Sequence, residues 1–537
     1  MTTTRTTTAG STTTAPASHW LDGKPYAGGS TRTGEVFNPA TGEVSSLVAF
    51  ADEQDVAAAV ASAKAAFPAW RDTSLTKRTQ VLFAFRELLN ARKNELAEII
   101  TAEHGKVLSD AMGEIARGQE VVELATGFPH LIKGAYSENA SSGIDVYSIK
   151  QPLGVVGVIS PFNFPVMVPL WFAPIAIAAG NSVVLKPSEK DPSAALWLAR
   201  LWQEAGLPDG AFTVIQGDKL AVDGLLTSSA VQSISFVGST PIAQYIYETA
   251  SRHGKRVQAL GGAKNHMLVL PDADLDLVAD QAVNAGFGAA GERCMAISVV
   301  LAVDAPTPAG VAATRSGVAS DPVGTVADEL IAKVTERIAK LRIGNGADAV
   351  EPDMGPLITD VHRDKVSSYV DIAEADGATI VVDGRNFTVD GHEDGFFFGP
   401  TLIDGIPTTS RAYAEEIFGP VLSVVRVASY DEGVTLINSG EFGNGTAIFT
   451  NDGGAARRFQ SEVQVGMIGI NVPIPVPVAY HSFGGWKKSL FGDAKAYGAH
   501  GFDFFTREKA VTARWIGPAT RDDRTHGGIN LGFPQNN

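Results

Sequence analysis

The chain has 537 residues, enough for more than one domain, and its 45% hydrophobic and 19% charged residues make an ordinary globular mix. A net charge of −16 argues against nucleic acid or an anionic membrane as partner, because both need clustered Lys and Arg. A lone cysteine forms no internal disulfide and fits a reducing compartment, so a cytoplasmic location is expected.

The first eighteen residues are rich in Thr, Ser and Ala, with one Arg and no apolar run. This composition reads as a disordered tail rather than a secretory signal or a transit peptide. Order is expected from about Trp20, with turns at Asn38-Pro39 and Thr41-Gly42. Helical spacing covers Asp52 to Trp70 and Lys77 to Glu103, the second stopping at Gly105. A third helix is predicted over about Ser109 to Leu131, with Arg117 on the same face as Val121 and Leu124 and therefore turned toward packing. Loose alternation between Gly134 and Pro152 predicts a β-hairpin. The apolar stretch Val166 to Ala179 is too short for a bilayer and carries Pro169 and Pro174, so it reads as a buried helix.

Beyond the hairpin, short β-branched runs alternate with helical material: Val155 to Ile159, Ser182 to Leu185, Phe212 to Ile215 and Ser233 to Val237. That alternation predicts a parallel sheet covered on both faces, hence an α/β fold. A second α/β segment is expected from Phe287 to Pro473, with strands near Ser298, Thr379 and Val421. The Ala305 to Val326 stretch reads as a surface insertion, and Phe504 to Trp515 as the last strand.

No Gly-x-Gly-x-x-Gly follows any predicted strand. In its place Phe236-Val237-Gly238-Ser239-Thr240-Pro241 ends a strand and opens a helix, whose N-terminus suits a pyrophosphate. Taken alone, such a turn is more often a plain strand-to-helix connection. Leu185-Lys186-Pro187-Ser188-Glu189 is a second strand-end loop; a carboxylate there would favour NAD over NADP. Cys294 stands in Gly291-Glu292-Arg293-Cys294-Met295, after small residues that allow close approach and beside Arg293, a cation that favours the thiolate. A solitary Cys is more often a small core residue, so its surroundings carry the functional reading.

At these residues the chain resembles the aldehyde dehydrogenase superfamily, from about Trp20 to Trp515. The resemblance rests on an ordered series: Ser160-Pro161-Phe162-Asn163-Phe164-Pro165, Lys186-Pro187-Ser188-Glu189, Phe236 to Thr240, Leu260-Gly261-Gly262, Gly291 to Cys294, and Glu415-Glu416-Ile417-Phe418-Gly419-Pro420. It implies a Rossmann-like NAD domain over 19–134 and 153–286, an α/β catalytic domain over 287–480 and oligomerisation elements over 135–152 and 495–520. The tails, over 1–18 and 521–537, are read from their polar composition, and the Thr-rich first one has no counterpart in the family. Cys294 would be the nucleophile, with the Asn163 amide and the Cys294 N–H holding the oxyanion. Ser160, Phe162, Lys186, Glu189, Lys190, Ser239, Gly261 and Glu416 fall at cofactor positions. The resemblance implies a homo-oligomer, dimer or tetramer, and no metal.

Hydrolytic members carry a Glu before Leu-Gly-Gly to activate water; here that residue is Ala259. Without that general base the thioester needs a nucleophile that is already good, which points to coenzyme A. Gly262-Ala263-Lys264-Asn265-His266, Gly291 to Ala296, Met354 to Thr359 and Arg117 to Glu123 are similar to the CoA-acylating methylmalonate-semialdehyde dehydrogenases. In that subfamily two arginines bind the substrate carboxylate, and they fall on Arg117 and Arg293. Leu260-Gly261 departs from the subfamily's Asn-Met. The implied reaction is NAD-dependent oxidation and decarboxylation of (methyl)malonate semialdehyde to propionyl-CoA or acetyl-CoA. The alternative is a hydrolytic NAD(P)-dependent dehydrogenase of another semialdehyde or aldehyde, with Glu292 or Glu415 as base. A non-catalytic protein on the same fold is disfavoured by Cys294 standing in an intact sequence pattern beside Asn163.

Overall fold

The computed structural model describes residues 16–304 and 325–515. The tail expected over 521–537, and nearly all of the 1–18 tail and the 305–326 insertion, lie outside the described residues. Three apolar clusters, two sharing the first sheet's side chains and one around the second, carry the two large sheets, and the order of strands in each explains where the chemistry falls.

The first sheet has eight strands, in the order Lys24–Tyr26, His19–Leu21, Phe212–Val214, Ser182–Lys186, Val155–Ile159, Val231–Val237, Arg256–Leu260 and Leu490–Phe491. The five from Phe212–Val214 to Arg256–Leu260 run parallel, and the outer pairings are antiparallel. Val155–Ile159 and Ser182–Lys186 are buried at every residue, as unbroken β-branched runs between two layers of helices must be. The second sheet has seven strands, in the order Thr379–Val382, Thr401–Asp404, Val421–Val427, Ile297–Val303, Asn265–Val269, Gly445–Phe449 and Met467–Ile470. All its pairings are parallel except the first.

This division corrects one boundary. The chain crosses between sheets at 261–264, not at 286/287, because Asn265–Val269 and the helix Leu275–Phe287 already pack with the second sheet and its core. The strands Arg256–Leu260 and Asn265–Val269 were not expected from sequence. Polar Gln258, Asn265 and His266 interrupt the apolar pattern there, and each finds a hydrogen-bond partner inside.

The helices follow their capping chemistry. Glu53–Asp72 starts at Asp52, whose carboxylate accepts the Gln54 and Asp55 N–H groups. Leu75–His104 ends at Gly105, with φ +88°. The third helix is shorter than expected: Leu108–Thr126 stops at Gly127, and Pro129 opens a separate turn, Phe128–Leu131. The apolar run forms Met167–Ala179, buried throughout, with Gly118 letting it approach: a Cβ at 118 would lie 2.7 Å from the Leu170 side chain. Among the described residues no helix is long and apolar enough to cross a membrane. The expected hairpin is present as Tyr136–Ser141 and Ile144–Pro152, and Thr506–Arg514 joins it as a third antiparallel strand.

Candidate active site

The site lies where the C-terminal ends of the first sheet meet the N-terminal ends of the second. Ile159 pairs with Lys186 and Phe236, and Val237 with Leu260, so the loops after them leave one edge side by side. They carry Ser160 to Asn163, Lys186 to Lys190, Ser239 and Gly261. Opposite them stand Cys294, just before Ile297–Val303, Asn265 at the start of its strand, and Glu416, before Val421–Val427. Open parallel sheets place ligands at such carboxyl ends. The Asn163 amide joins the two edges, donating to the Glu292 carbonyl at 2.9 Å.

The loop that carries Cys294 is tightly held. After Leu275–Phe287 the backbone enters the left-handed region at Ala289 (φ +50°), Ala290 (φ +51°) and Gly291 (φ +73°). Only glycine fits at 291, since a Cβ there would meet the Gly419 carbonyl oxygen at 2.1 Å. The Cys294 carbonyl accepts from the amides of Asn265 and Asn444, both at 3.0 Å. Its half-buried thiol is pushed up to about 12, first by burial and then by the Glu416 carboxyl. Its own N–H and that of Met295 pull in the opposite direction, as does Arg293, the weakest of the named influences. Arg293 therefore does not produce the low thiol pKa expected from its adjacency. Its guanidinium is engaged by Asp110 instead.

Cys294 stands between two cavities. One, of about 380 Å3, is lined by Cys294, Arg117 and Arg293 together with the apolar Phe164, Trp171 and Phe483. Arg117 does not turn into packing as expected; its side chain is 40% exposed at this cavity and pairs with Glu120 at 2.9 Å. The second, much smaller cavity is lined by Cys294, Glu416, Gly291 and Phe418. Glu416 accepts the Ala263 N–H at 2.8 Å, and burial raises its carboxyl to about 7. Lys264, lowered to about 7 by burial, holds the preceding segment through the Ala412 and Glu415 carbonyls.

Sequence reading missed the pair beneath the site. Lys106 and Glu114 are buried and meet at 2.8 Å. Lys106 also donates to the Asn163 backbone carbonyl at 2.6 Å, and Glu114 accepts the Val166 and Met167 N–H groups that open Met167–Ala179. No pattern in one dimension marks them, because each charge sits on an ordinary-looking helix or loop.

The loops on the first sheet's edge carry polar atoms free for a ligand. The Ser160 hydroxyl is buried without a hydrogen-bond partner among the described residues. Lys186 and Glu189 meet at 3.2 Å; burial works to raise the Glu189 carboxyl, but Lys186, a backbone N–H and, last, Lys190 outweigh it and hold it below the usual carboxylate range. Lys190 lies 4.8 Å over the Phe162 ring. Ser239 stands at the N-cap of Thr240–Arg252 but makes no capping bond, and Thr240 is spent on the Gly262 N–H. Gly261 donates to the Ser489 carbonyl, and a Cβ there would lie 2.6 Å from the Lys488 carbonyl oxygen.

Neither candidate base is placed to serve the thiol. Glu292 is fully buried, 3.8 Å from His104 and 3.7 Å from His362 and away from both cavities. Glu415 is bound by Arg411 and Tyr369, which hold it down at about 2. Ala259 is fully buried between Phe236 and Phe491.

Two facing parallel sheets with a cleft between their strand ends make an α/β fold of the dehydrogenase type, and the chain belongs to the aldehyde dehydrogenase family, whose model matches residues 26–325 and 311–511. Within that family it is 52% identical to the malonate-semialdehyde dehydrogenase of Pseudomonas aeruginosa, over 93% of this chain and 96% of that one. It superimposes on the methylmalonate-semialdehyde dehydrogenase of Oceanimonas doudoroffii with a TM-score of 0.89 and 52% identity, covering 95% of this chain and all of that one. A Sinorhizobium meliloti 1021 structure in complex with NAD gives a TM-score of 0.90 at 49% identity, over 95% of this chain and all of that one.

Proposed function

We propose that this chain oxidises malonate or methylmalonate semialdehyde with NAD and passes the acyl group to coenzyme A with loss of CO2. The observation that carries this reading is the placement of two guanidinium groups, Arg117 and Arg293, on the same cavity as the Cys294 thiol. A planar, permanently charged donor suits a carboxylate. The names of the relatives support the same substrate class.

The first sheet's edge fits a dinucleotide. The free Ser160 hydroxyl, the ionised Glu189 beside Lys186 and the uncapped start of Thr240–Arg252 are the groups that would hold it. When bound, NAD supplies the hydride acceptor. On the protein's side, the Cys294 thiol gives up its proton to solvent and Sγ adds to the aldehyde carbon, the C=O π pair moving onto the oxygen. The Asn163 amide, with one N–H committed to Glu292, keeps a second for the oxygen that becomes charged. Oxidation leaves a thioester on Cys294 with its carboxylate one carbon away. Breaking that C–C bond releases CO2 and moves the electron pair into the thioester carbonyl. Protonation of the carbon and exchange with the CoA thiol release the acyl-CoA and restore the Cys294 thiol.

Coenzyme A is favoured over water because Ala259 offers no proton acceptor and neither Glu292 nor Glu415 faces the sulfur. A hydrolytic reading has one observation on its side: Glu416 shares the small cavity with Cys294 and titrates at about 7. The test is NADH formation from methylmalonate semialdehyde with and without CoA, with the acyl product analysed. The expected outcome is CoA-dependent turnover yielding propionyl-CoA. Equal NADH without CoA and accumulation of a free acid would replace this reading with the hydrolytic one.

A further inference from the structure

We propose that Asp110 is a positioning residue that makes the site selective for carboxylated aldehydes by fixing the Arg293 guanidinium; the proposal rests on the acid-semialdehyde reading above. Asp110 lies on Leu108–Thr126, two turns before Arg117, and lines the same cavity as Arg117, Arg293 and Cys294. Its carboxylate is divided between two partners. One oxygen takes the Arg293 guanidinium, and the other accepts the Ala289 N–H at 3.0 Å.

Both contacts act on the loop that delivers the sulfur. Ala289 and Ala290 hold positive φ, which an alanine adopts only when its surroundings enforce it. The bond from Ala289 to Asp110 is one such constraint. Arg293 is confined from the other side by Gly288, where a Cβ would lie 2.4 Å from the guanidinium. The guanidinium is thus held between backbone and carboxylate, with donors left over for a ligand. The pair is sheltered, with side chains 22% and 23% exposed, so the charged hydrogen bond is not lost to solvent.

Charge alone does not explain carboxylate selectivity here. Each cation lining the cavity has an acidic partner: Lys106 with Glu114, Arg117 with Glu120, and Arg293 with Asp110. With the cations already neutralised, recognition depends on the orientation of the guanidinium fork. Asp110 sets that orientation for Arg293.

The test compares KM and kcat for malonate semialdehyde and propanal in the wild type, Asp110→Asn, Arg293→Met and the double variant. Asparagine keeps an acceptor for the Ala289 N–H and removes the charge that grips Arg293. The expected result is that D110N raises KM for malonate semialdehyde about tenfold to a hundredfold more than KM for propanal, the weight of one charged hydrogen bond. In the R293M background D110N adds no further discrimination. Equal losses on both substrates would reduce Asp110 to loop scaffolding and overturn the proposal. A fall in KM for malonate semialdehyde would overturn it too, making Asp110 a competitor of the substrate. Should D110N fail to fold, Asp110→Glu reads the same point: it keeps the charge but shifts the fork, and an unchanged substrate preference overturns the proposal. A wild type without preference for malonate semialdehyde overturns the acid-semialdehyde reading itself, whereas a preference that survives D110N overturns only the role of Asp110.

Discussion

Burial, and after it the Glu416 carboxyl, push the Cys294 thiol up to about 12, so the thiol form predominates at neutral pH. Alkylation by iodoacetamide should therefore rise about tenfold per pH unit from pH 7 to 10, with no plateau. A plateau below pH 9 would show that the loop already stabilises the anion. Glu416→Gln removes a like charge, which lowers the thiol pKa and should speed alkylation at each pH. Slower alkylation in that variant would instead make Glu416 the proton acceptor. Cys294, Asn163 and Glu416 were visible in sequence because they sit in short, ordered patterns. Asp110 was not, since an aspartate in a helix's first turn ordinarily serves the helix dipole, and nothing in the chain's order says that Arg293 folds back onto it.

On the helix Leu108–Thr126, Asp110, Glu114 and Arg117 recur at intervals of four and three and so share one face, the one turned to the cavity. The helix itself was legible from its apolar residues, and its polar stripe carries the site. Replacing one member of the buried pair beneath it is costly, because the other charge is then left unpaired away from water. Lys106→Met should lower unfolding free energy by about 3–5 kcal/mol in denaturant titrations, and adding Glu114→Leu should recover part of that loss. A loss under about 1 kcal/mol would mean that water reaches the pair, placing it in the range of exposed ion pairs. Strands were legible where they were uniformly apolar, as at Val155–Ile159. They were hidden where site chemistry places polar residues in the ladder, as at Asn265–Val269, whose first amide grips the Cys294 carbonyl.

Across the whole molecule, the alternation of strands and helices disclosed two α/β units, but not that their sheets confront each other end to end. That arrangement depends on pairings between distant segments, such as Leu490–Phe491 returning to the first sheet. The arm formed by the hairpin and Thr506–Arg514 is a three-stranded sheet with Tyr136 63% and Ile149 39% exposed. So small a sheet calls for a surface to pack on, and a second copy of the chain is the expected one. Light scattering should find an oligomer that Ile149→Asp dissociates; a monomeric wild type would sink that expectation. The lone sulfhydryl between the two cavities also turns the chain into its own counting device. A thiol-selective tag has one place to attach per polypeptide, so the moles of tag incorporated count the accessible sulfhydryls, one per chain.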